Sequence, residues 1–347
     1  MMDKKNEANI TDEFGLIQQM TNKFQTYHSI LVPNGDDAAI LPPTKMGQVV
    51  CTDTMVEEVH FTKQTMSPRQ IGYKALAVNL SDIAAMGGIP KFFLVSLAVS
   101  PEWQEQELVE IYKGMKELAD KWQIDLVGGD TVSSKHHLVL TVTVIGEVEE
   151  EVRLLRSNAS PGDIVFVTET LGDSAAGLHY LLQGPGQSKR QTGADVQKYI
   201  SPLLLAHQEP TPHLKEGRIL ASYGGKQKIS LNDVSDGLSS EAHELAESSQ
   251  VSIVIEKEKI PLSPEILRYA KEVGHDPYDW AFHGGEDFIL IGTVAQELFD
   301  EIQGSFMAQN RKIFPIGYVE EGQGEVYIEE AGSRTKIEKK GYNHFGT

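Results

Sequence analysis

The chain has 347 residues, 40% apolar and 23% charged, which is the composition of a globular protein long enough for two domains. A net charge of −19 repels phosphate backbones and argues against general nucleic-acid binding, although bound divalent cations can reverse the local field for an anionic substrate. The single cysteine, Cys51, rules out an internal disulfide and a thiolate zinc cluster and fits a reducing cytoplasm.

The opening MMDKKNEANITDEF has no apolar core and does not read as a signal peptide. Between Thr11 and Phe24, the residues Phe14, Ile17, Met20 and Phe24 recur at helical spacing. NGDDAAIL reads as a turn at Asn34-Gly35 followed by a strand, with Asp36 and Asp37 between them. QVVCTDTM reads as a strand. Ser67-Pro68 opens a helix through IGYKALAVNLSDIAAM that stops at Gly87-Gly88. FFLVSLAV is a strand, far too short to span a bilayer, so the chain is expected to be soluble, with no membrane partner. QELVEIYKGMKELADKW is an amphipathic helix, and IDLVGGD and LVLTVTVIGEV are strands.

SNASPGD opens a second unit, so the boundary is placed near residue 150, giving domains 1–150 and 151–347. DIVFVTE, KISLND, VSIVIE, DFILIGTV, IFPIGYV and EVYI read as strands. GDSAAGLHYLLQ, GLSSEAHELAESS and segments near 263–273 and 295–303 read as helices. GPGQSKRQTGAD, Gly184 to Asp195, reads as a mobile surface loop.

A lone Asp-Asp pair in a turn is ordinarily a solvated turn. Here, however, Asp37, Asp53, Asp130, Asp233 and Asp236 each fall where an apolar element gives way to glycine, small residues or a turn. Asp82 lies inside an Ala-rich helix, where a buried carboxylate is costly unless paired or metal-bound. Six such aspartates, few with a nearby Lys or Arg, point to a site for several Mg²⁺ ions, which take hard oxygen ligands and bridge carboxylates to substrate phosphates. Thr52 and Ser235 could add hydroxyls, and the glycines of VGGD could bring backbone N–H groups to an anion. The P-loop, protein-kinase and nucleophile-elbow motifs are absent from the sequence. HELAE lacks the second histidine of a zincin helix and reads as a solvated helix face. HGGEDF is a glycine turn whose Glu286 or Asp287 could meet a substrate, and the aromatic GYNHF suggests a docked terminal segment.

Taken in order, GDDAA, CTDT, EEVHF, YKALAVNLSDIAAMGG, LVGGDT, RSNASPGD, GDSAAG, VSDGLSSE, GGEDF and GYNHF resemble the bacterial thiamine-monophosphate kinases. That family lies in the superfamily that includes aminoimidazole ribonucleotide synthetase and selenophosphate synthetase. The resemblance covers nearly the whole chain. It implies an α/β (α+β) two-domain fold: an N-terminal mixed sheet with flanking helices that pairs in a homodimer, and a C-terminal α/β domain. It also implies Mg²⁺-assisted, ATP-dependent phosphorylation of thiamine phosphate to thiamine diphosphate. Residue by residue, it places Asp37, Thr52, Asp53, Asp82, Asp130, Asp233 and Asp236 on Mg²⁺ positions, with Cys51 ligating through its carbonyl. Asp82, Asp130 and Asp233 would be the central catalytic carboxylates. Gly129, Asp130, Arg156, Ser235 and Tyr112 match ATP-contacting positions, and His60, Glu286 and Tyr342 match substrate-contacting ones. Asp36 does not match a direct ligand. The rival readings are a related ATP-dependent enzyme with another acceptor, a Mg²⁺-dependent phosphohydrolase, and a non-catalytic nucleotide-binding module.

Overall fold

The computed structural model describes residues 13–33, 37–183, 194–225 and 227–340. Contacts divide the chain into two compact units, Met1–Asn79 with Pro90–Glu147, and Leu80–Ile89 with Val148–Thr347.

The first unit holds helix α1 (Glu13–Thr21), α2 (Pro68–Ala85), whose last turns belong to the second unit, and α3 (Glu105–Trp122). Strands β1 (Gly47–Val56), β2 (Ile89–Val99), β3 (Asp125–Ser133) and β4 (Val139–Val148) form one sheet in the order β1-β4-β2-β3. Among the described residues, the segment read as a strand at AAIL makes only an isolated bridge, Val32 to Ile40. Helix α2 starts on a reciprocal cap: the Ser67 amide donates to Gln70 Oε1 and the Gln70 amide to Ser67 Oγ. It ends at Gly87, whose φ of 65° few other residues tolerate. Two glycines let α2 and α3 touch backbone to backbone. A Cβ on Gly72 would lie 1.8 Å from the Ile111 carbonyl oxygen, and one on Gly114 would lie 1.8 Å from that of Arg69. Strand β4 buries Leu140, Val142 and Val144 on one face and turns Thr141 and Thr143 to the other. On that second face Thr52 and Thr54 of β1 pair with Thr143 and Thr141 at 2.9 Å each.

The second unit carries α4 (Asp173–Leu182), α5 (Ala194–Gln208), α6 (Leu214–Gly224), α7 (Leu238–Ser249), α8 (Pro264–Val273), α9 (Pro277–His283) and α10 (Gln296–Ala308). Its strands are β5 (Asp163–Val167), β6 (Ile229–Asp233), β7 (Val251–Glu256), β8 (Leu290–Ala295), β9 (Phe314–Glu321), β10 (Val326–Glu330) and β11 (Ser333–Ile337), ordered β11-β10-β7-β9-β5-β8-β6. The β10–β7 pair is parallel and the other pairs are antiparallel. Helices α5, α6 and α9 and strand β11 were not legible from periodicity. Residues 184–193 of the expected loop lie outside the described residues, and Ala194 and Asp195 already belong to α5.

The core of this unit gathers Val165, Val167, Ile253, Ile255, Ile291 and Ile316 of the sheet with Leu238, Ala242 and Leu245 of α7. A second cluster joins α4, α5, α8 and α9 through Ala176, Leu203, Tyr269 and Trp280. Helices α8 and α9 begin where the sequence punctuates them, with Ser263 accepting the Ile266 amide and Asp276 the Tyr278 amide, each ahead of a proline.

Candidate active site

Strand β6 is buried throughout and delivers Asp233 at its end. The chain then turns through Val234, Ser235 and Asp236 to Gly237, whose φ of 100° starts α7. The HGGEDF segment runs beside this turn. The Val234 amide donates to the Ile289 carbonyl, Phe288 to Val234 at 2.8 Å, and Glu286 to Ser235 at 2.6 Å. Gly285 has no room for a side chain, since a Cβ there would lie 2.6 Å from the Ser235 carbonyl oxygen. Glu286 and Phe288 hold φ of 59° and 51°, conformations that side-chain-bearing residues adopt at a cost and that cluster at functional sites. Asp287 is half-buried and accepts the amides of Gly172, at 2.7 Å, and Ser174, at 3.3 Å. Burial outweighs those two donors and pushes its carboxyl up to about 8.

Two further elements reach the same neighbourhood. From the last turns of α2, buried Ser81 donates its hydroxyl proton to Asp233 Oδ2 at 2.8 Å, and Asp82 follows, half-buried. From the short 3₁₀ turn Arg156–Asn158, Arg156 Nε donates to Asn232 Oδ1 at 2.9 Å, and its Nη1 lies 3.1 Å from Glu244 Oε2. The structure therefore brings Asp82, Arg156, Asp233, Ser235, Asp236 and Glu286 together around one sheet end of the second unit.

Sequence reasoning missed two members of this cluster. Asn232 bridges Arg156 to Glu241, and Glu241 accepts the Asp236 amide at 3.0 Å and the Ser235 hydroxyl at 3.3 Å. Burial first, and then the charges of Glu244, Asp233 and Asp236, push the Glu241 carboxyl up to about 8. The only sequence signal was an acid in the first turn of a helix, which is common for dipole reasons alone. The solvated face expected for HELAE is only part of the picture. His243 is buried and within 2.7 Å of the Ser239 carbonyl oxygen, while Glu247 is exposed.

In the first unit, Asp53 and Cys51 share one face of β1 and Thr52 takes the other, because successive strand residues alternate. The Thr52 hydroxyl is engaged by Val142 and Thr143 of β4, so an ion meeting the Asp53 carboxylate would meet Thr52 through its backbone. The Cys51 thiol points at the Asn79 carbonyl oxygen, 3.3 Å away. Asp130 is exposed on β3 opposite Ser96 of β2. Gly129 has a packing reason of its own, since a Cβ there would lie 2.0 Å from the Val95 carbonyl oxygen. His60 Nδ1 accepts the Val56 amide at 3.0 Å, which puts the ring proton on Nε2. Tyr112 is buried in the core with its ring edge-on to Phe24, and burial raises its phenol. Asp37 is exposed just before the Val32–Ile40 bridge. Asp36 and Tyr342 lie outside the described residues.

Among the described residues, no three His, Cys, Asp or Glu side chains are gathered as a ready-made metal cage, and no helix is long and apolar enough to cross a membrane.

Comparison with known proteins places this geometry in a family. Residues 35–148 match the AIR synthase related protein N-terminal domain, and residues 160–329 match the corresponding C-terminal domain. The thiamine-monophosphate kinase of Bacillus subtilis (strain 168) is 46% identical over 96% of this chain and 99% of its own length. The crystal structure of the thiamine-monophosphate kinase from Stenotrophomonas maltophilia K279a superposes with a TM-score of 0.80 at 32% identity, covering 92% of this chain and 98% of that one. The structure of AaThiL complexed with AMPPCP and TMP does so with a TM-score of 0.75 at 31% identity, over 99% and 100% of the two chains. With near-complete coverage in both directions, the chain belongs to the thiamine-monophosphate kinase family, on the two-domain fold of the AIR synthase related proteins.

Proposed function

We propose that the chain transfers the γ-phosphoryl group of ATP to thiamine phosphate, giving ADP and thiamine diphosphate. The observation that carries this reading is the hydrogen-bonded pairing of the Val234–Asp236 turn with the Gly285–Phe288 segment. It sets residues suited to nucleotide and metal, Asp233, Ser235 and Asp236, beside Glu286, which suits a cationic acceptor. The acceptor oxygen belongs to a phosphate monoester that is largely ionised near neutral pH, its second pKa being about 6. No general base is needed, and the difficulty is repulsion between two anions. Arg156 would offer part of the answer as a fixed charge fork for ATP phosphates.

Mg²⁺ fits the donor set. In the first unit Asp37, Asp53 and Asp130 would hold such ions, with backbone oxygens of Cys51 and Thr52; in the second unit Asp82, Asp233 and Asp236 would do so. All are hard oxygen donors. Burial first, and then the neighbouring charges of Glu244, Asp233 and Asp236, raise the Glu241 carboxyl, and a cation beside those aspartates would relieve the second of these effects. Mg²⁺ commonly uses one or two carboxylates together with water and substrate phosphates, so a preassembled cage is not required. When bound, it screens the phosphates and stabilises the in-line transition state. Gly129 would admit ATP, with Tyr112 supporting that site from the core, and His60 and Tyr342 would contact thiamine phosphate together with Glu286. The reading includes a cytoplasmic location, consistent with a lone cysteine, and a homodimer formed through the sheet of the first unit. The exposure of Val50, Thr52 and Thr54 on β1 supports that dimer.

Chromatographic product analysis with Mg·ATP, with and without thiamine phosphate, tests the proposal. Thiamine diphosphate with matching ADP, only when both substrates and Mg²⁺ are present, is expected. ADP alone would favour a hydrolase or another acceptor, and no turnover in folded protein would favour a binding module.

A further inference from the structure

His207 lies in the last turn of helix α5, its side chain only 1% exposed. Gly177 of α4 brings α5 close, since a Cβ there would lie 2.1 Å from the Leu203 carbonyl oxygen. As a result His207 Nδ1 stands 3.3 Å from Glu286 Oε2 and 3.4 Å from Ser174 Oγ. A carboxylate oxygen only accepts, so Nδ1 bears the proton and donates it. Glu286 is held on its other sides as well. Its amide is bound to the Ser235 carbonyl, and its neighbour Asp287 is clamped to the start of α4 through the amides of Gly172 and Ser174. The Glu286 side chain is still 30% exposed, so its carboxylate reaches solvent while the His207 side of it is gripped from the interior. A residue at positive φ whose side chain and backbone are both tethered is built to point one way.

We propose that His207 is a positioning residue for the phosphoryl-transfer reaction, holding the Glu286 carboxylate in the orientation that receives the cationic thiazolium ring of thiamine phosphate. This rests on the reading that Glu286 contacts that substrate. Without the His207 donor, the carboxylate rotates toward water and its charge is no longer aimed at the ring. The ATP side of the reaction is expected to change little, because Arg156 is held by Asn232 and Glu244.

The test is steady-state kinetics on the full chain for His207→Leu, His207→Gln, Glu286→Gln and the double variant His207→Leu/Glu286→Gln, each checked for a cooperative thermal melt. His207→Leu is expected to raise the KM for thiamine phosphate about tenfold, with the KM for ATP changed by less than about twofold. His207→Gln, which keeps an N–H donor, is expected to recover most of that loss. In the Glu286→Gln background the His207 substitution should add nothing. If Glu286→Gln raises the thiamine phosphate KM and His207→Leu does not, or if His207→Leu raises both KM values equally, the proposal is overturned. An unchanged KM in Glu286→Gln overturns the underlying reading of Glu286 and the proposal with it, so the two failures are distinguishable. If His207→Leu does not fold, the comparison moves to His207→Gln against His207→Met. A rise confined to the methionine variant supports the proposal, and equal values overturn it.

Discussion

Ser81 Oγ and Asp233 Oδ2 are joined by a 2.8 Å hydrogen bond between two buried side chains, which ties the last turns of α2 to the end of β6. The next residue on α2, Asp82, is half-buried. A half-buried carboxylate beside this tether motivates the first prediction. Asp82→Asn and Asp130→Asn are each expected to lower kcat by about a hundredfold or more. Circular dichroism should be unchanged. Chelation should abolish wild-type turnover and added Mg²⁺ restore it. Near-normal turnover in both folded variants would falsify the metal assignment.

Asp287 predicts a pH dependence of stability. Its carboxyl is raised from 3.8 to about 8, chiefly by burial, so the folded state binds its proton more tightly than the unfolded state does. The stabilising contribution is complete below about pH 4 and is lost as pH rises to about 8. Asp287→Asn keeps one acceptor for the α4 amides and removes the charge. Melting temperature followed from pH 5 to 8.5 should fall less steeply in the variant than in the wild type. Parallel curves would show that Asp287 does not titrate in that window.

The α2–α3 contact predicts a stability cost without a direct catalytic one. A methyl group on Gly72 or Gly114 would meet a backbone carbonyl at 1.8 Å, and a carbonyl within a helix cannot swing aside. Gly114→Ala is expected to destabilise by about 1–3 kcal/mol or more, read as a lower urea midpoint with an unchanged m-value. A midpoint equal to wild type would mean that the helices separate at little cost.

The proposed dimer makes a prediction at β1. Val50 is 61% exposed and shares its face with Thr52 and Thr54, the pair that hydrogen-bonds to Thr143 and Thr141. Such a mixed apolar and hydroxyl face suits burial against a second copy better than it suits solvent. Val50→Lys should convert a dimer to a monomer by sedimentation velocity at micromolar concentration. A monomeric wild type, or a variant that stays dimeric, would place the interface elsewhere.

Local signals in the chain were sufficient for the long helices and for most strands. The cap at Ser67, the stop at Gly87 and the alternation of LVLTVTVIGEV are written in adjacent residues and need no tertiary partner. The candidate carboxylates were legible for the same reason, since aspartates recur where an apolar element gives way to glycine, small residues or a turn. Helix α5 was hidden by an interior Pro202 and by the polar segment before it, and α9 by its seven-residue length. The face taken by Thr52 follows from strand alternation once the strand and its partner are known.

The sequence by itself determined element types, the carboxylate inventory and the family pattern, because each depends on residues a few positions apart. Only the tertiary structure decided which of them meet. Ser81 reaches Asp233, Arg156 reaches Asn232, and His207 reaches Glu286. The sheet of the second unit pairs strands out of chain order, β11-β10-β7-β9-β5-β8-β6, so neighbours in space are distant in sequence. A lone histidine at the end of a helix, or a lone glutamate in a first turn, carries no signal until burial removes the water that would otherwise satisfy it.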